Sequence, residues 1–176
     1  MNKTGVMLAI GLAGALAAGA AMAQTIQPGR MADKDSQKFL KAAIEGDIAE
    51  IDVGKLAQEK GHSDAVKQFG AMLVKDHGAH KAKAEEVASG LGVTPPTGSS
   101  FGEKATYAKL KILSGDSFDR SFAKAMVKDH QEDIKEFEKE ASKNDPAGKL
   151  AKESLPTLKK HLAAAQQLTA QKQSSR

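Results

Sequence analysis

The chain has 176 residues, with 26 Lys and Arg against 22 Asp and Glu, a net charge of +4, one Tyr, and neither Trp nor Cys. The lack of cysteine excludes disulfides, thiolate nucleophiles and sulfur-ligated metal centres, so stability must come from packing. Charges of both signs alternate along the chain, and without a basic block or stacking aromatics the composition argues against a nucleic-acid partner.

The first 23 residues combine one Lys, a Gly/Ala/Leu-rich apolar run and small residues at Ala21 and Ala23. That pattern predicts a secretory signal peptide cut before Gln24, and a periplasmic or secreted protein. The apolar run is short and Gly-rich for a membrane anchor, so no stable insertion is expected after cleavage; retention as an anchor is the alternative. Residues 24–34 read as a flexible segment, 35–171 as one helical domain, and 172–176 as a disordered tail.

The domain is rich in Ala, Lys, Glu, Gln and Leu and almost free of β-branched runs, which predicts an all-α fold. A first helix, capped by Asp35 or Ser36, runs to about Lys60 with Phe39, Leu40, Ala43, Ile44, Asp47 and Ile51 on one face. "GHSD" breaks it, and Ser63 caps a second helix to about Ser89, with a stripe of Val66, Phe69, Leu73, Ala84, Val87 and Leu91. The breaker-rich segment from Gly90 to Gly102 reads as a crossover. A short helix over 103–113 follows.

The third main helix, about Ser117 to Ser142, carries Phe118, Phe122, Met126 and Phe137 inward. Asp145 and Pro146 begin a fourth, which Pro156 kinks or restarts with Ser154 as a new cap. Short turns plus one crossover describe a ferritin-like four-helix bundle with a short extra helix, its handedness left open.

Two copies of "VKDH" lie 53 positions apart, ending at His77 and His130. At about 100° per residue, Asp76, His77 and His80 fall on or beside the apolar stripe of the second helix, as do Asp129, His130 and Asp133 on the third main helix. Glu50, one turn from Asp47, and His161 in "LPTLKKHL" add inward polar groups on the other two helices. A buried carboxylate must be paired, hydrogen-bonded or bound to a cation. Residues one turn apart point the same way, so Glu50, Asp76, His77, His80, Asp129, His130 and His161 form a candidate set of metal ligands between helices.

The residues "EGDIAEIDVGKLAQEKGHSDAVKQFGAMLVKDH", "FDRSFAKAMVKDH" and "LPTLKKHLAAA" resemble the bacterial exported family known as domain of unknown function number 4142, from about Asp35 to Ala170. The resemblance implies an exported, ferritin-like bundle with Glu50, Asp76, His77, His130 and His161 at recurring polar positions, and it implies no established reaction. No Glu-x-x-His motif is present, so ferroxidase chemistry does not carry over.

Two readings follow. In the first, the bundle binds one or two transition-metal ions, Fe or Mn first and Zn next, for metal handling or protection against oxidants. In the second, the Asp/His network is structural and the charged surface is a non-enzymatic envelope-stress or interaction module for an envelope protein or peptidoglycan. No nucleophile elbow or phosphate-cradling loop supports an organic catalytic mechanism. Without Met clustering near Met72 and Met126, copper handling is a minor option.

Overall fold

In a computed structural model of the chain, residues 32–174 are described, and they form five helices: α1 (Lys34–Lys60), α2 (Asp64–Gly90), α3 (Phe101–Lys111), α4 (Gly115–Glu140) and α5 (Pro146–Ser174). The expected signal peptide lies outside these residues. Among them, no helix is long and apolar enough to cross a membrane.

Side chains that satisfy the free N–H groups of a first turn fix where helices begin. Asp33 accepts from the Asp35 and Ser36 amides at 2.9 and 2.8 Å, so α1 starts before the expected caps. Ser36 is unavailable as a cap because its buried hydroxyl donates to Glu140 Oε1 at 2.6 Å. Ser63 caps α2 as expected. Ser100 and Glu103 form a reciprocal capping box on α3.

α4 begins at Gly115, which adopts φ +55°, two residues before the expected Ser117. Asp145 accepts from Gly148 N at 2.7 Å and starts α5. That helix continues through Pro156, and no second helix begins there. Ser154, expected as a new cap, instead donates its hydroxyl to the Leu150 carbonyl one turn back at 2.7 Å.

Side-chain contacts between helix ends give the topology. Asp119, near the start of α4, accepts from His62 N at 2.8 Å and Ser63 N at 3.0 Å, so α4 starts beside the start of α2. At the other end, Ser36 of α1 meets Glu140 of α4, and Ala147 and Leu150 of α5 pack with Leu40 and Ile44 of α1 and Ala84 and Ala88 of α2. The α1–α2 and α4–α5 hairpins therefore lie with α2 and α4 parallel, and the 91–114 connection spans the bundle length. This is the crossover bundle expected from the sequence.

Apolar side chains fill both ends. One cluster gathers Val53, Leu56, Phe69, Leu73, Phe118, Phe122, Met126 and Leu168 near the α1–α2 turn. At the other end, one cluster holds Leu40, Ile44, Ala84, Ala88 and Leu150 and a smaller one holds Ala43, Phe137, Ala151 and Leu158. Each fully buried Phe or Leu contributes about 1.5–3 kcal/mol. Between the two ends the core holds the buried polar side chains Asp47, Glu50, His77, His130 and His161.

Candidate metal centre

His77 of α2, His130 of α4 and His161 of α5 meet at mid-height, being 5 %, 0 % and 0 % exposed. Their ring centroids are 5.2–5.8 Å apart. One ring nitrogen from each lies within 4.8 Å of the other two, and among the described residues only these three bring potential metal ligands so close.

Each imidazole spends one nitrogen on an outer partner. His77 Nδ1 is 2.9 Å from Asp47 Oδ1 of α1, His161 Nε2 is 3.0 Å from Asp76 Oδ2 of α2, and His130 Nδ1 is 3.0 Å from the Met126 carbonyl. These acceptors require an N–H, which places the ring proton on the outer nitrogen. The other nitrogens, His77 Nε2, His130 Nε2 and His161 Nδ1, are buried without a hydrogen-bond partner. These three rings therefore leave three lone pairs without a donor, and His80 Nε2, outside the cluster, is likewise buried without a partner.

Burial favours the neutral form of His130 and His161. Burial, and then the neighbouring His77 and His161, push His130 down to about 3. Burial is also the main cause lowering His161, against the opposing pull of Asp76. Neutral imidazole is the ligand form, and a ring N–H held by a carboxylate or carbonyl orients such a ligand.

The candidate ligands separate into distinct roles. His77, His130 and His161 converge, while Asp76 turns outward to support His161. His80 does not join them: its Nδ1 shares Asp47, at 2.7 Å from Oδ2, and its ring packs against Phe137. Glu50 approaches from α1, with Oε1 3.7 Å from His130 Nδ1 and Oε2 buried without a hydrogen-bond partner. Asp129 lies away from the histidines and lines a separate cavity with Asp133. One residue one step round the helix from His130 cannot share its direction.

Asp47, 3 % exposed and holding two histidines, is absent from the sequence-derived ligand set. Its place on the Leu40/Ile44 stripe was the available signal. His77, His161, Asp47 and Asp76 also line a cavity of about 400 Å³ whose other walls include Phe39, Phe137 and Leu158.

Carboxylates around Glu50 and α4 are held in the protonated direction. Glu50 is raised well above its ordinary range by burial, then by Asp133, Asp129 and Asp47. Burial followed by Asp129 raises Asp133 to about 7, and burial raises Asp129 to about 6.

No curated protein matches the chain in sequence. Among solved structures, it is similar to the "Crystal structure of DUF305 fragment from Deinococcus radiodurans", with a TM-score of 0.72 and 14% identity. That match covers 80% of this chain and 99% of the other, and at this identity it shows the shared helical fold alone. Residues 20–168 match the family described as "Domain of unknown function (DUF4142)", and the chain belongs to that family.

Proposed function

We propose that this protein is an exported metal-binding bundle that holds one transition-metal ion on His77, His130 and His161, for metal handling or protection against oxidants in the cell envelope. The observation carrying this reading is the set of three buried, unpartnered ring nitrogens on histidines that meet in the core, each ring fixed by an acceptor at its other nitrogen. A polar network serving only to hold helix register would be expected to pair those nitrogens with donors.

The spacing suits the role. With one nitrogen of each ring within 4.8 Å of the other two, a common centre lies no more than about 2.8 Å from each, so inward movement of less than about 1 Å reaches the roughly 2.0–2.1 Å of a Zn–N bond. An all-imidazole set favours Zn and Fe over Mn, which prefers oxygen, and this moves Zn ahead of Mn relative to the order expected from a mixed carboxylate set. Three protein ligands leave a coordination position for water or a small molecule. The cavity beside His77 and His161 supplies a route to it. Export rests on the A-x-A pattern of the first 23 residues.

Zinc added to metal-free protein is expected to raise the melting temperature of the wild type and leave that of His130→Ala unchanged. Equal responses of the two proteins, or none in the wild type, would favour the structural-network reading.

A further inference from the structure

α1, α3 and α4 enclose another cavity, of about 300 Å³, whose lining includes Glu50, Glu103, Asp129, Glu132 and Asp133. The one basic residue on it, Lys128, is engaged by Glu132 at 3.0 Å. Gly46 gives α3 close access to α1, since a methyl group there would already touch Glu103 Oε1 at 3.7 Å.

The feature that points to a ligand is Glu50. It is only 5 % exposed, it lines the cavity, and its Oε2 has no hydrogen-bond partner. His130 Nδ1, 3.7 Å from its Oε1, directs its proton to the Met126 carbonyl instead. Asp129 and Asp133, one turn apart on α4 and both on the cavity wall, have no hydrogen bond or ion pair among the described residues. Carboxylates gathered in a partly buried cavity without a cation repel one another and lose hydration.

We propose that this cavity is a second cation site, taking a hard divalent ion on Glu50, Asp129 and Asp133 with Glu103 completing the ring of oxygens. Its donors are all oxygen, the preference of Mg²⁺, Ca²⁺ and Mn²⁺, whereas the histidine cluster is all nitrogen. The carboxylates do not form a tight triad of the kind the histidines make, so the ion keeps part of its water shell and is reached partly through it. Glu50 stands between the two sites. The oxygen site does not depend on the histidine reading.

The test is a Mn²⁺ titration of the purified protein, read by the loss of the free-ion electron paramagnetic resonance signal, with and without Zn²⁺ preloaded. About one Mn²⁺ is expected to bind per chain whether or not zinc is present. Asp129→Asn with Asp133→Asn should weaken Mn²⁺ by at least about tenfold, with zinc uptake and circular dichroism unchanged. Mn²⁺ that stays free, binds the double variant equally well, or is displaced by one equivalent of Zn²⁺ would overturn the proposal. Zinc uptake on the same samples reads the histidine cluster separately, so either reading can fail alone.

Discussion

Asp133 has an ordinary carboxyl pKa of 3.8 and is raised to about 7 by burial and by the nearby Asp129, Asp47, Glu103 and Glu132. The folded, metal-free protein therefore holds this proton more tightly than the unfolded chain. Its contribution to stability is complete below about pH 4 and is lost as pH rises through about 7. His130, lowered to about 3, has the opposite sign: its contribution is present above pH 6.5 and is lost as pH falls through the folded value. Comparing wild type with Asp133→Asn cancels the histidine contribution. In urea unfolding with a chelator present, the variant should gain on the wild type from pH 4 to pH 8, by about 1–3 kcal/mol after allowing for solvent screening. Parallel stability curves would contradict the assignment.

The same scale shows where sequence reasoning stopped. Rotating about 100° per residue finds the inward faces of His77, His130 and His161. It gives no height along the bundle, so it cannot tell which inward groups meet. The two "VKDH" copies looked equivalent, yet Asp76 supports a histidine while Asp129 faces the acidic cavity. The repeated device is the histidine. Asp47 was visible on its stripe, but its role exists only once α1 crosses α2 and two rings reach the same carboxylate.

At the scale of the elements, α1 and α2 approach through glycines. A methyl group on Gly54 would lie 2.8 Å from the Gly70 carbonyl oxygen, and one on Gly70 would lie 2.6 Å from that of Gly54. Because backbone rather than a flexible side chain stands in the way, the helices would have to part. Gly70→Ala should cost about 1–3 kcal/mol net, the clash exceeding the roughly 1 kcal/mol gain in helix propensity. Gly78, in the same helix with nothing within 4 Å of its would-be methyl, is the control: Gly78→Ala should stabilise by about 0.5–1 kcal/mol. Thermal or urea unfolding of the two variants checks both signs. Helix type and order were legible from periodicity and composition. Helix starts shifted where tertiary partners, such as Glu140 for Ser36, claimed the expected cap.

At the scale of the whole molecule, apolar clusters close the ends of a crossover bundle and leave a polar layer between them. The parallel placement of α2 and α4 sets His77 and His130, 53 positions apart in the chain, with ring centroids 5.8 Å apart. α5 brings His161 against both, and α1 supplies Asp47 and Glu50. Every long helix thus contributes to the layer, and buried polar groups gathered this way are strongly unfavourable unless their lone pairs find a donor or a cation. The most direct measurement of that claim is elemental analysis of the protein purified from its own cell envelope without added metal or chelator. About one transition-metal ion per chain is expected, lost in a His77→Ala/His130→Ala variant that keeps its helical circular dichroism. Wild-type protein carrying no more metal than that variant would contradict the account.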